Sequence, residues 1–221
     1  EGEPIIGKLV VSGEASIDGE IIIRMQEMYD EPKAGDAFTI VEADSLTGEF
    51  FSIRVLNGSN SSAEISRKVK IDLSNPGASI VGTVTLLNIE SYGDWKTAFF
   101  NESDSTNDDV SGLGKDPDGD GYNNLAEYAL GGSPGSMDTD LVKYYVGESG
   151  STGVNTLSTE ETSAEGDSEV SISFNWANDV TDADWALERS SDLIGWEPVA
   201  PSEIEMVAGD EYTRITATTP I

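Results

Sequence analysis

Apolar residues recur at every second position through the first part of the chain, and glycines interrupt the runs. In KLVVSGEASIDGEIIIRM, Leu9, Val11, Ala15 and Ile17 share one parity, followed by Ile21, Ile23 and Met25. A period of two belongs to a strand with one buried face, because successive side chains point to opposite sides. Gly13 and Gly19 stand where turns are needed. Phe38 alternates with Ile40, and Ile53 with Val55, while Asn57-Gly58 is a tight-turn pair. A further strand pair is expected over EISRKVKIDL and ASIVGTVTLLNI. No helical period runs through this part. Residues 1–91 therefore read as a β-rich domain.

Strand periodicity returns at the other end. VKYYV, SEVSISFNW, DWALERSS, WEPVA and EYTRITAT read as strands, and SISFNW places Ile172, Phe174 and Trp176 on one face. Several short strands at this spacing predict an immunoglobulin-like β-sandwich over 138–221. The run ESGSTGVNTLSTEETSAEGDSE is acidic and poor in apolar residues, so a mobile loop is expected there. Between the two β-rich parts lies 92–137. Asp94 is placed to cap a short helix whose Trp95, Ala98 and Phe99 share a face. SDSTNDDVSGLGK reads as loop. The expected class is all-β with a short helical joint.

Charge narrows the partners. The chain carries 42 acids against 12 bases, a net charge of −30. Nucleic acid and anionic membranes are excluded as partners, because phosphate binding depends on Lys and Arg. Cations are the natural ligands. The 221 residues include no Cys and no His, which removes disulfides, thiol chemistry, imidazole bases and most zinc or iron sites. Oxygen donors remain, and these suit calcium or magnesium. No apolar run reaches the length of a membrane span. The chain opens on Glu1 with no leader-like segment ahead of it, so a trimmed product or a piece of a longer chain is expected.

The acidic focus is 101–170, with 16 acids and 2 bases, and within it stands DPDGDGYNNLAEYALGGSP. Against the calcium-loop template D-x-D-x-D-G-x5-E, Asp116, Asp118 and Asp120 fill positions one, three and five. Gly121 falls at six, Tyr122 offers its carbonyl at seven, Asn124 stands at nine and Glu127 closes the shell at twelve. Alternate acids in an extended loop repel one another until a divalent ion turns repulsion into coordination. Calcium is expected over magnesium, which resists dehydration and rarely uses all-protein cages. LAEYAL reads as a helix carrying Glu127, with Gly131-Gly132 as its stop and Pro134 beyond. An ordinary acidic Asp-Gly turn is the competing reading. The residues before Asp116 form no amphipathic helix and the loop is not repeated, so a structural site is expected, not a paired-helix sensor.

Two resemblances bear on these residues. LVVSGEASIDGEIII, PKAGDAFTIVEA and LTGEFFSI, within 7–56, resemble the final rungs of the β-helical stalks of autotransporters and related bacterial surface proteins. A plain β-sandwich or jelly roll has similar alternation, so β-solenoid end and β-sandwich both stand for the first domain. The Asp-rich loop resembles the single-sided loops of dockerins and thrombospondin type 3 repeats. Trp95, Asp116–Gly121, Glu127–Gly131 and Glu188–Trp196 together resemble a C-terminal module of large secreted proteins of Verrucomicrobia and related bacteria. That resemblance covers 92–221 and implies an extracellular or cell-surface setting without enzymatic activity. Such modules usually finish with a further strand, which ATTPI does not supply, so that strand is expected to be cut away or supplied otherwise, and a missing one would leave a gap for an added strand.

The resulting expectation is a non-catalytic, calcium-stabilised extracellular structural module of a bacterial surface, stalk, fibre or adhesin protein. Its expected partners are calcium and like subunits or neighbouring domains joined by strand addition, as through IGKLVV. The alternative is a carbohydrate-binding accessory module of a secreted polysaccharide-acting protein, with Trp176, Trp185, Trp196 and Tyr212 as a stacking platform. These rings also suit sandwich packing. A carboxylate-only glycosidase needs one well-separated acid pair, and no acid here stands in an apolar context that marks it out.

Overall fold

The computed structural model describes residues 7–25, 32–50, 52–57, 64–139, 141–146, 149–152 and 169–220. It is mainly β, 43% strand and 15% helix, with several sheets, none closed, and a short helical segment in the middle. The chain divides into two compact units, Glu1–Ile89 and Glu90–Ile221.

The first unit begins with β1 (Leu9–Ile17) and β2 (Glu20–Met25), then β3 (Ala37–Gly48) and β4 (Ser52–Asn57). β1 runs parallel to β3 and β2 runs parallel to β4. Leu9 faces Val41 and Glu20 faces Ser52, the same offset along the chain, and the first pair then slips by one residue between Val11 and Glu14. The strand pair β1–β2 is thus laid on the pair β3–β4. β5 (Glu64–Ile65), β6 (Val69–Ser74) and β7 (Ser79–Leu86) then add antiparallel. The sheets are ordered β1-β3-β7-β6 and β2-β4-β5.

Parity decides which residues fill the space between them. Ala15, Ile17, Ile40, Val41 and Ile80 form one buried cluster, and Val55, Val69, Ile71 and Val84 form another. Ile23, Phe38 and Leu73 pack against both. Ile21, Ile23 and Met25 face inward as their spacing predicts, whereas Leu9 at the start of β1 is exposed. The register of β3 shifts between Thr39 and Val41. An irregularity at that point lets the adjacent Ile40 and Val41 both be buried. The expected Asn57-Gly58 turn lies partly outside the described residues.

The second unit opens with α1 (Tyr92–Phe99), α2 (Glu102–Ser105), α3 (Asp108–Ser111) and α4 (Asn124–Leu130). The cap of α1 is Ser91, whose hydroxyl oxygen accepts from Asp94 N, so Asp94 sits inside the first turn rather than before it. Asp94 in turn accepts from Glu90 N. α2 and α3 stand where a loop is expected. Each is a single turn with no apolar period to reveal it, started by the side chains of Asn101 and Asn107.

Strands β8 (Val142–Val146), β9 (Ser149–Thr152), β10 (Glu169–Ala177), β13 (Ile204–Ala208) and β14 (Tyr212–Pro220) form an antiparallel sheet ordered β13-β14-β10-β8-β9. A small ribbon pairs β11 (Glu188–Arg189) with β12 (Glu197–Pro198). Opposite residues match by chemistry. Ile172 faces Ala217 and Phe174 faces Ile215, while Ser171 and Ser173 share hydroxyl hydrogen bonds with Thr218 and Thr216. β9 falls inside the expected loop, because backbone pairing to β8 requires no apolar side chain. The other residues of that loop lie outside the described ones. DWALERSS is strand only at Glu188–Arg189.

Candidate metal centre

The Asp-rich loop is shaped first by its own backbone. Asp116 accepts from Gly119 N (2.8 Å) and Gly121 N (3.0 Å), and Asp118 from Asp120 N (3.3 Å). Asp120 Oδ1 accepts from Tyr122 N (2.7 Å). Short acidic side chains capping nearby N–H groups curl the chain so that carboxylates gather on its inner side. Gly121 adopts φ +98°, the left-handed turn that template position six requires. One carboxylate oxygen each from Asp116, Asp118 and Asp120 then lies within 4.8 Å of the others.

α4 brings in Glu127. Asn123 caps the helix by accepting from Ala126 N, and Gly131 ends it at φ +82°. A side chain at Gly131 would also strike the Tyr212 ring, 2.5 Å from its hydroxyl oxygen, so only glycine fits the stop. Beneath the helix, Tyr128, Trp95 and Tyr92 pack with ring centroids 5.3–5.9 Å apart. Tyr128 donates to Asp182 (2.8 Å), and α4 packs on β10. On the same helix Glu127 is fully buried, at 0% exposure.

Neither carboxylate oxygen of Glu127 has a hydrogen-bond partner, and Asp118 Oδ2 is likewise buried without one. A buried, ionised and unpaired carboxylate is among the costliest arrangements a fold can contain. Burial, with the charges of Asp118, Asp120, Asp138 and Asp116 adding to it, pushes the Glu127 carboxyl up to about 9. Asp118 is pushed up to about 6, by burial and then by the charge of Asp120. The Tyr92 hydroxyl rises to about 12, through burial and then the charges of Glu127 and Asp108. The orphaned oxygens and the hard donor set fit a cation.

Asp138 is the residue that motif reading missed. It is buried, donates its N–H to Asp120 Oδ2 (2.6 Å) and accepts from Ser133 N (2.8 Å). Its carboxylate forms a second group with Asp120 and Glu127, again with ligand atoms within 4.8 Å of one another. The one sequence signal was a further acid shortly after the helix stop. Gly132 leaves room beside this group, since a Cβ there would lie 2.9 Å from Glu127 Cγ and 3.0 Å from Asp138 Oδ2.

The remaining expected ligands are placed as follows. Asn124 is fully buried, and its amide nitrogen donates to the carbonyls of Val110 and Gly112 (2.9 Å each), which pins the chain ahead of the loop. Its Oδ1 has no hydrogen-bond partner. Tyr122 is buried, and its hydroxyl accepts from Val142 N (3.3 Å) at the start of β8. Among the aromatics proposed for carbohydrate, Tyr212 is buried and Trp185 packs edge-on to Phe174. Trp176 is half-buried and Trp196 is 55% exposed. The chain matches no protein-family model, curated protein or solved structure in the comparisons made with each.

Proposed function

We propose that the protein is a non-catalytic structural module of the bacterial cell surface or extracellular space, stabilised by calcium. The observation that carries the calcium part is Glu127: a fully buried carboxylate with two unpartnered oxygens, facing four aspartates. In this reading Asp116, Asp118, Asp120 and Glu127 supply carboxylate oxygens, Tyr122 its carbonyl and Asn124 the position often filled through water. The ion removes the repulsion among the acids and binds the loop to α4. Its role is structural, because the group ties the loop to a helix that packs on the sheet of the same unit.

The surface setting is supported by the resemblance of 92–221 to a secreted module and by the net charge of −30. The reading of the first unit as the end of a β-solenoid is supported by its two parallel pairs, which start at the same offset along the chain. Rungs stacked along one axis have this pairing. The edge of β1 is the strand proposed to add to like subunits or neighbouring domains, with Leu9 and Val10 exposed on it.

Calcium-titrated melting tests the reading. At calcium about 100-fold above its Kd, binding adds about 2.7 kcal/mol to the folded state. Melting temperature is expected to rise with calcium and fall on chelation, and terbium is expected to luminesce when Tyr122 is excited. A melting curve indifferent to calcium, with no terbium signal, refutes it.

A further inference from the structure

We infer that the acidic centre holds two cations, the second in a buried position built by Asp120, Glu127 and Asp138. The inference rests on the calcium reading above and goes beyond the twelve-residue loop. The ligand atoms form two groups, Asp116–Asp118–Asp120 and Asp120–Glu127–Asp138, which share Asp120. Each group contains a buried oxygen without a hydrogen-bond partner: Asp118 Oδ2 stands in the first, and Glu127, which also closes the loop template, brings two such oxygens, one for each position. The second group is the more enclosed, with Glu127 at 0% and Asp138 at 5% exposure.

Charge supports the same count. Five carboxylates converge here: Asp116, Asp118, Asp120, Glu127 and Asp138. One divalent ion neutralises two of these charges and a second neutralises two more. A single ion held by the loop and Glu127 uses the twelve-residue template in full, and the buried Asp138 carboxylate, with a ligand atom within 4.8 Å of those of Asp120 and Glu127, is a further charge outside that template. Asp138 N donates to Asp120 Oδ2 and Asp138 Oδ2 accepts from Ser133 N, so the second group is already braced by backbone. Gly132 packs closely beside it, where a Cβ would meet Leu141 Cδ1, Glu127 Cγ and Asp138 Oδ2 at 2.8–3.0 Å. The hard oxygen donors select calcium or a similar divalent ion.

Equilibrium dialysis of the full chain against calcium, followed by elemental counting of bound ion, tests this directly. Two ions per chain are expected in the wild type and one in Asp138→Asn, whose amide oxygen can still accept from Ser133 N. Asp116→Asn is expected to weaken the loop position and leave the buried one filled. One ion in the wild type overturns the inference, whether or not Asp138→Asn loses it. Two ions retained by a folded Asp138→Asn also overturn it. No bound ion in the wild type refutes the calcium reading itself, a distinct result. The wild-type count needs no variant, so misfolding of one does not blunt the test.

Discussion

Glu127 is the most consequential single residue. Its folded value of about 9 stands above the ordinary 4.5, so without a cation the folded chain keeps a proton that the unfolded chain releases. Stability of the calcium-free protein is therefore highest below about pH 4.5 on this account and declines as pH rises towards 9. Asp118 adds to the decline between its ordinary 3.8 and about 6. Thermal melts of resin-depleted protein at pH 5, 7 and 9 are expected to show falling midpoints, and saturating calcium should remove most of the fall. A flat profile without calcium would contradict the burial argument. Glu127→Gln keeps the shape and discards the charge, and an amide brings its own donors. It is expected to abolish the calcium-dependent rise in melting temperature and to leave the calcium-free midpoint at pH 8 at or above that of the wild type. Gly132→Ala pushes a methyl against Glu127 and Asp138, and calcium affinity measured by titration should drop at least tenfold.

Elements depend on small local devices. Asn123 starts α4, and Asn123→Ala should cost about 1 kcal/mol in denaturant unfolding. The turn between β11 and β12 has the opposite character. Leu193 adopts φ +59°, the only non-glycine residue with positive φ among those described, while Asp192 accepts from Ile194 N and Gly195 N. The left-handed conformation costs an L-residue about 1–2 kcal/mol, and glycine gives back roughly half through the unfolded state. Leu193→Gly is therefore expected to hold or slightly raise the melting temperature, and a clear drop would show that the exposed leucine contributes contacts. β10 and β14 were readable from their alternation because one face is apolar and the other is hydroxyl-rich. β13 was not anticipated as a separate strand: its side chains are half or fully exposed, and its place comes from pairing with β14.

The molecule consists of two units, and every feature of the acidic centre lies in Glu90–Ile221. All four tryptophans, Trp95, Trp176, Trp185 and Trp196, lie there as well. Trp fluorescence therefore follows the second unit alone, while calorimetry follows both. Two calorimetric transitions are expected, of which only the one that coincides with fluorescence moves with calcium. If calcium shifts both transitions equally, the two units unfold as one body. The helical segment counts with the second unit through α4 on β10 and Tyr128 on Asp182. Sedimentation of the intact chain examines strand addition, and a monomer at all concentrations speaks against it.

What is local was legible in the residue order. Period-two alternation placed Ile21, Ile23, Ile172 and Phe174, and alternate aspartates with Gly121, the α4 run and Gly131 defined a loop and a stopped helix. These depend on neighbours a few bonds away, so spacing alone reveals them. What needs distant residues was hidden. Parallel pairing of β1 with β3 depends on which strands meet, the burial of Glu127 on how α4 packs on the rest of its unit, and the position of Asp138 on the path between α4 and β8. Spacing along a chain carries no record of which acids share a cavity. Folding brings Asp138 to Asp120 and buries Glu127 away from water.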